Sequence, residues 1–159
     1  MNFTAHDTNL IQLSRFGFVN SYLVREDDGF TLVDTMTPGS AKGVLNAALR
    51  AGAPVRRILL THAHGDHVGS LDALHERLGP EVEIAITERD ARFLAGDKSL
   101  DPGEPQSKLR GSYPKCSTRP ARRLGLEDRI GSLEVVASPG HTPGHISLWD
   151  PRAGTLIAG

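Results

Sequence analysis

The stretch Thr61-His62-Ala63-His64-Gly65-Asp66-His67 lies directly behind an apolar run at residues 55–60. It holds three of the seven histidines of the chain together with one aspartate. The first two histidines are separated by a single residue, so on an extended segment their side chains project to the same side. The glycine lets the backbone turn and can bring the last two residues of the stretch to the same cavity. Imidazoles and a carboxylate at this spacing predict a metal site.

The sequence on either side of this stretch predicts an α/β fold. The apolar run before it is typical of a strand, and Val68, Leu71, Leu74 and Leu78 after it recur at helical spacing. The histidines thus occupy the loop at the carboxyl end of a strand, where α/β folds usually carry their chemistry.

The remaining secondary structure follows from alternating apolar residues, helical spacing and turn signals. Strands are predicted at residues 10–16, 19–25, 30–34, 82–86, 133–137, 146–149 and 155–158, and helices at 40–50, 68–78 and 87–95. Ser40 is a candidate N-cap of the first helix, whose buried stripe includes Leu49. Thr87 and Asp90 resemble a capping box at the start of the third helix.

Residues 96–120 are rich in proline and glycine and show little periodicity. Strand patterns resume after them, so they are predicted to form a long loop or insertion within one domain that covers residues 1–159. Such a loop is typical either of a lid or specificity element or of a plain surface excursion. The basic residues Arg119, Arg122 and Arg123 at its end are interpreted as a solvated face.

The charge balance argues against nucleic acid and membranes as partners. Lysine and arginine number 18 against 19 aspartates and glutamates, which favours neither a polyanion nor an anionic surface. No apolar run approaches the ~20 residues that a spanning helix needs, and the first residues do not resemble a signal peptide. The single cysteine, Cys116, rules out an internal disulfide and is typical of a reducing compartment. A soluble cytoplasmic protein is therefore expected.

A second histidine-bearing turn, Ser138-Pro139-Gly140-His141-Thr142-Pro143-Gly144-His145, again follows a predicted strand. Proline and glycine can hold its first histidine rigidly at the same edge of a sheet as the first motif. His62, His64 and His141 would then bind one metal ion and leave a fourth position open for water, which is the catalytic rather than the structural pattern. His145 and Cys116 are interpreted as turn and loop residues rather than as ligands.

The pattern His62-x-His64-x-Asp66-His67, followed by His141 in the turn Gly-His-Thr-Pro-Gly-His, resembles the metallo-β-lactamase-fold superfamily. Leu32-Val33-Asp34-Thr35 also resembles the strand-ending aspartate of that family. The resemblance implies an α/β fold of the αββα sandwich type, with metal ions at one edge of its paired sheets. It implies that His62, His64 and His141 bind a first metal ion and that Asp66 and His67 bind a second. Asp34 would support the ligand loop by hydrogen bonding.

The same resemblance implies a hydrolase that uses a metal-bound hydroxide to cleave an ester, thioester, lactone or amide bond of a small-molecule substrate. Two zinc ions are expected, although ligand type alone also allows iron or manganese. Asp66 is the candidate catalytic residue, because it could orient the hydroxide or carry a proton. Two alternatives stay open: a mononuclear iron enzyme similar to persulfide dioxygenases, and an inactive fragment or metal-binding partner protein.

The sequence departs from the family pattern at its end. Residues 155–159 resemble a strand that, in most hydrolases of this family, leads into an aspartate bridging both metal ions; a later histidine completes the second site. The sequence reaches Gly159 before either residue. We therefore expect an N-terminal portion of a longer protein or one piece of a split chain, with a naturally short metal binder as the alternative. In either of the first two cases the sandwich is truncated before its end, and its strands would lack an opposing sheet.

Overall fold

Two β-sheets form the framework of the computed structural model, which describes residues 1–159. The first sheet has seven strands, β1 (Asn2–Ala5), β2 (Leu10–Arg15), β3 (Val19–Glu26), β4 (Gly29–Val33), β5 (Val55–Leu59), β6 (Glu83–Thr87) and β7 (Arg122–Leu124). Their spatial order is the order of the chain, antiparallel from β1 to β4 and parallel from β4 to β7. The second sheet has four antiparallel strands, β8 (Arg129–Ile130), β9 (Leu133–Ala137), β10 (Ile146–Asp150) and β11 (Thr155–Ala158).

Helices cover one face of the first sheet. They are α1 (Ala41–Arg50), α2 (Gly65–Val68), α3 (Leu71–Leu78) and α4 (Glu88–Leu94). The buried apolar residues of all four belong to one cluster with Leu32, Ile58 and Ile84 of the strands. Burial of apolar surface is the dominant favourable term in folding, so this cluster holds the helices against the sheet. The loops that follow the parallel strands are left at one edge. None of the helices is long and apolar enough to cross a membrane.

The opposite face of the first sheet packs on the second sheet. An apolar cluster joins Val33 and Leu59 of the first sheet with Leu133 and Leu148 of the second. The expectation that the strands lack an opposing sheet is therefore wrong, because β8–β11 fold back over this face and bury it. Residues 1–159 place no helix on the outer face of the second sheet, where Leu156 is 53% exposed.

The predicted strands and helices are present, with some differences in detail. Ser40 precedes α1, but its hydroxyl accepts a hydrogen bond from Arg15 (2.8 Å) instead of capping the helix. Leu49 is exposed rather than buried, because the buried face of α1 runs through Ala47 and Ala48. The second predicted helix is split into α2 and α3. The short strands β1, β7 and β8 are additional to the prediction.

The segment between α4 and β7 contains neither helix nor strand. Its end is tied to α3, where the Asp72 carboxylate accepts hydrogen bonds from the backbone N–H groups of Ser117 (2.9 Å) and Thr118 (2.8 Å). The basic residues that follow are not free, since Arg122 and Arg123 each form an ion pair with a glutamate. This stretch is therefore a charge-paired surface.

We expect Leu148→Ala to destabilise the protein, because the Leu148 side chain is fully buried between the two sheets. Removing a buried leucine side chain costs about 2–5 kcal/mol of the free energy of unfolding. Urea titration of the full-length variant measures this loss. Leu49→Ala is the matched control, since Leu49 is 77% exposed, and its truncation should change the free energy by less than about 0.5 kcal/mol. Equal losses for the two variants would contradict the packing of the sheets.

Candidate metal centre

The two histidine-bearing segments meet at one edge of the sandwich. Asp34 follows β4 and the loop at residues 61–67 follows β5, so both lie at the carboxyl ends of neighbouring parallel strands. The turn at residues 138–145 connects β9 to β10 in the second sheet. A backbone hydrogen bond from Ile146 N to Thr61 O (3.1 Å) joins the two segments. Side chains that are distant in the chain thus form one cluster.

Three histidines face one another in this cluster. One ligand-capable nitrogen from each of His62, His64 and His141 lies within 4.8 Å of the others. The ring centroids are 4.7, 4.8 and 4.9 Å apart. His62 and His64 are buried, whereas His141 is exposed. The structure therefore brings together the three residues that were expected to share a first metal ion.

Hydrogen bonds around these rings leave one nitrogen of each to face the cluster. Nε2 of His64 lies 2.9 Å from the carbonyl oxygen of Arg110, which can only accept, so the ring proton is assigned to Nε2. Nδ1 of His64 then faces Nε2 of His141 at 3.0 Å. In His62, Nδ1 lies 3.0 Å from the Thr61 hydroxyl, whereas Nε2 is buried without a hydrogen-bond partner.

The unpaired Nε2 atom of His62 is the observation that best fits a bound metal ion. A buried polar atom without a partner costs free energy, so such atoms are rare unless an ion, a ligand or water completes them. Imidazole nitrogens are borderline donors that suit zinc and iron. The donor set therefore fits a transition metal ion with three protein ligands and open positions beyond them.

The electrostatic environment keeps two of the rings neutral. Burial, and after it the neighbouring His67, lower the pKa of His62 to about 2. Burial and the neighbouring His64 also lower the pKa of His141. Neutral imidazole is the form that binds a metal ion, so neither ring has to lose a proton before it can act as a ligand.

A buried aspartate supports the loop that carries His62 and His64. Oδ1 of Asp34 accepts a hydrogen bond from Thr61 N (2.8 Å), and Oδ2 accepts from the Thr61 hydroxyl (2.7 Å) and from Nδ1 of His67 (2.7 Å). Burial alone would lower the pKa of His67, but the Asp34 carboxylate outweighs it and raises that pKa. Nε2 of His67 is left 3.7 Å from the Asp66 carboxylate. Asp34 thus makes the contacts to the ligand loop that the resemblance implies.

Two further polar side chains belong to the site. Asp90, expected to complete a capping box, is fully buried and accepts hydrogen bonds from both histidine-bearing segments. Only half of that box forms, with the Thr87 hydroxyl accepting from Asp90 N (3.3 Å). His145 lies with its ring centroid 4.9 Å from that of His62, its Nδ1 bound to Ser138 and its Nε2 buried without a partner. Its presence in the turn was the only sequence signal for it.

The long loop crosses this site. The backbone N–H of Gly65 donates a hydrogen bond to the carbonyl of Ser112 (2.8 Å). Gly111 adopts a φ of +89°, and a Cβ atom there would lie 2.5 Å from Nε2 of His64. A cavity of about 620 Å³ lies between this loop and the turn that carries His141. The loop therefore lines the site, which favours its interpretation as a specificity element over a plain surface excursion.

The family model described as the metallo-beta-lactamase superfamily matches residues 14–159. The chain belongs to this superfamily. The resemblance stated from the two histidine-bearing motifs is confirmed, and with it the class of fold. This chain is therefore a member of a superfamily of metallo-hydrolases, and its structure contains a three-histidine group able to hold a metal ion.

Individual relatives agree with this assignment. The uncharacterized protein YobT of Bacillus subtilis (strain 168) is 50% identical over 89% of this chain and 60% of its own length. The probable metallo-hydrolase YflN of the same strain is 30% identical over 94% of this chain and 61% of its own length. The chain thus spans about three fifths of the length of these curated relatives. The crystal structure of the metallo-beta-lactamase MIM-1 from Novosphingobium pentaromativorans aligns with a TM-score of 0.69 at 30% identity, covering 93% of this chain and 56% of MIM-1.

Gly111→Ala should weaken metal binding, because the new methyl group would meet the ring of His64 and displace its Nδ1 atom. Disturbing a group that orients a ligand typically costs about 10- to 100-fold in metal affinity. Chelator competition for Zn²⁺ in the full-length protein measures this affinity. Gly103→Ala is the matched control: Gly103 lies in the same loop with a φ of +94°, but a Cβ atom there has no neighbour within 4 Å. Backbone strain is then similar in both variants, and an equal loss of affinity would contradict the role of the His64 contact.

Proposed function

We propose that this protein is a metal-dependent hydrolase that cleaves an ester, thioester, lactone or amide bond in a small-molecule substrate. Zinc is the proposed metal, bound first by Nε2 of His62, Nδ1 of His64 and Nε2 of His141. The observation that carries the proposal is the convergence of one nitrogen from each of these three rings within 4.8 Å, together with the buried and unpaired Nε2 of His62. Membership in a superfamily of metallo-hydrolases supports the reaction class.

A second metal position is proposed beside the first, at Asp66 and His67. The His67 ring centroid lies 4.0 Å from that of His62, and its Nε2 faces the Asp66 carboxylate at 3.7 Å. Asp34 holds the other nitrogen of His67, so the ring orientation is fixed from behind. Bound at these positions, zinc supplies Lewis acidity, which lowers the pKa of water toward 7 and polarises a carbonyl group.

Asp66 is the proposed catalytic residue among the protein side chains. Its side chain is 51% exposed and therefore open to water, whereas the side chain of its neighbour His67 is only 17% exposed. A carboxylate in this position can accept a proton from water or hold the water by a hydrogen bond, which is general base chemistry. Asp34 is too enclosed for this role, because the loop occupies both of its oxygens.

The cavity beside His141 is the proposed substrate site. Its walls come from the long loop and from the turn at residues 138–145, and Tyr113 and Leu109 provide part of its apolar lining. A cleft of this size is in the range of small-molecule sites, and its lining combines these apolar side chains with several polar and charged ones. Lys108 and Arg110 line the same cavity and would favour a substrate with an acidic group. A cytoplasmic location, which the lone buried cysteine favours, forms part of the same proposal.

The direct test is elemental analysis of the full-length protein combined with activity measurements. We expect zinc to copurify and turnover to appear for at least one member of a panel containing a p-nitrophenyl ester, a thioester, a lactone and a β-lactam. Removing the metal with a chelator should abolish turnover, and adding Zn²⁺ should restore it. One iron per chain with oxygen consumption would instead favour an oxygenase similar to persulfide dioxygenases. No turnover in the zinc-loaded protein would contradict the hydrolase assignment.

His62→Ala should remove bound metal and activity together, because His62 is fully buried among the three converging rings and its Nε2 has no other partner. Metal stoichiometry by elemental analysis and turnover of the best substrate are measured on the same samples. His6→Ala is the matched control, since His6 is exposed and the hydrogen bond of its ring is to Gln12 on the protein surface. Retention of both metal and activity in the His62 variant would overturn the assignment of this residue.

Asp66→Asn should lower kcat by about 100-fold or more, since an amide is a much weaker proton acceptor than a carboxylate. The three-histidine position should still bind one metal ion, because Asp66 is not among its donors. Steady-state kinetics measure kcat, and elemental analysis measures metal stoichiometry. Together they separate an effect on catalysis from an effect on metal binding. Asp27→Asn, in the exposed β3–β4 turn, serves as the control. An unchanged kcat in the Asp66 variant would exclude this residue from catalysis.

A further inference from the structure

Asp90 lies in the first turn of α4 and its side chain is inaccessible to solvent, with 0% exposure. Burying a carboxylate is costly, so it requires either a cationic partner or several hydrogen bonds. No lysine or arginine forms an ion pair with Asp90, although Arg89 precedes it and pairs with Glu104. Hydrogen bonds alone therefore compensate for the lost hydration of this side chain.

Those hydrogen bonds come from the two segments that carry the histidines. Oδ2 of Asp90 accepts from Ala63 N (2.9 Å) and from the Thr142 hydroxyl (2.8 Å), and Oδ1 accepts from Gly144 N (2.8 Å). Ala63 lies between His62 and His64, and Thr142 directly follows His141. One carboxylate thus binds next to all three converging imidazoles.

The start of α4 does not explain this arrangement. The Thr87 hydroxyl already accepts a hydrogen bond from Asp90 N, so the helix is capped without the carboxylate. The same hydroxyl donates to the carbonyl of Gly144 (2.8 Å) and so binds the turn at residues 138–145 to the start of α4. The Asp90 side chain could therefore be replaced without removing the cap of its own helix.

The second turn fits closely over the carboxylate. A Cβ atom at Gly144 would lie 2.5 Å from Oδ1 of Asp90 and 2.7 Å from Oγ1 of Thr87. Only glycine at this position lets the backbone N–H reach the carboxylate. The placement of His141 relative to His64, with Nδ1 and Nε2 at 3.0 Å, is thereby linked to one buried side chain.

We propose that Asp90 is the positioning residue of the metal centre: its carboxylate sets the distance between the loop bearing His62 and His64 and the turn bearing His141. It touches neither substrate nor metal and acts through the backbone of both segments. The proposal rests on the proposed function in one respect, namely that the three histidines bind a metal ion.

Asp90→Asn tests this role, because the amide keeps the size of the side chain but replaces one acceptor oxygen by a donor. A donor then faces one of the two backbone N–H groups, and one segment has to move. We expect the affinity for Zn²⁺ to fall about 10- to 100-fold. The absorption spectrum of the Co²⁺-loaded protein should also change, because it reports the geometry of the ligands.

A purely structural role would lower stability without changing metal affinity, so a control with a similar structural task is needed. Asp72→Asn provides it: the Asp72 carboxylate also accepts two backbone N–H groups, from Ser117 and Thr118, and ties the end of the long loop to α3 without a hydrogen bond to either histidine-bearing segment. Both apo proteins should lose stability in thermal unfolding. Only the Asp90 variant should lose affinity and alter the Co²⁺ spectrum.

Thr142→Val and Thr142→Ser keep the test decisive even if Asp90→Asn does not fold. Valine removes a single hydrogen bond to Asp90, whereas serine retains the hydroxyl and should preserve Zn²⁺ affinity. All titrations use the full-length protein, with folding of each apo variant confirmed by circular dichroism.

The outcomes separate this proposal from the proposed function. Reduced affinity in Asp90→Asn or in Thr142→Val, with normal affinity in Asp72→Asn and Thr142→Ser, supports the positioning role. Unchanged Zn²⁺ affinity in the folded Asp90 and Thr142→Val variants, or an equal loss in Asp72→Asn, overturns it. Absence of Zn²⁺ binding in the unmodified protein overturns both proposals, whereas binding without hydrolysis overturns only the reaction.

Discussion

Two buried carboxylates hold the histidine-bearing loop, and the geometry of the whole site depends on them. Asp34 binds Thr61 and Asp90 binds Ala63, so the backbone is fixed immediately before and after His62. Because the backbone is held on both sides of His62, its ring has little freedom to change orientation. Such restraint pre-organises a set of metal ligands. Neither carboxylate pairs with a lysine or arginine; Asp34 has the His67 ring as its one basic partner, and Asp90 relies on hydrogen bonds alone to offset its lost hydration.

The sandwich provides the coarser part of the same arrangement. The loop belongs to the first sheet and the turn to the second, and the apolar cluster between the sheets brings them to one edge. Apolar burial is non-directional and cannot by itself fix distances to a few tenths of an ångström. The hydrogen bonds from Ile146 to Thr61 and those around Asp90 supply that precision. Apolar packing therefore brings the loop and the turn close together, and directional hydrogen bonds set the distances between them.

Local sequence patterns were sufficient for most strands, for the helices and for singling out both histidine-bearing segments, because each of these is encoded within a few neighbouring residues. The strand β1 escaped because all four of its residues are exposed and none alternates with a buried one. The role that we propose for Asp90 could not be predicted from the sequence for another reason: its hydrogen-bond partners lie 27, 52 and 54 positions away. The contact between His64 and Arg110 likewise spans 46 positions within or beside a loop without periodicity. Such contacts exist only once the sheets have formed.

A metal ion held by both segments would also raise the stability of the folded protein relative to the unfolded chain. His64 and His141 are 77 positions apart, so the unfolded chain presents no comparable site and binding favours the folded state. Selective binding adds about 4 kcal/mol of stability at a metal concentration 1,000-fold above Kd. In the metal-free protein, the hydrogen bonds that Asp34 and Asp90 accept offset the hydration that these carboxylates have lost. An apolar residue in place of Asp90 would leave the backbone N–H groups of Ala63 and Gly144 buried without acceptors, which costs free energy. The carboxylate therefore contributes to the stability of the two turns as well as to their geometry.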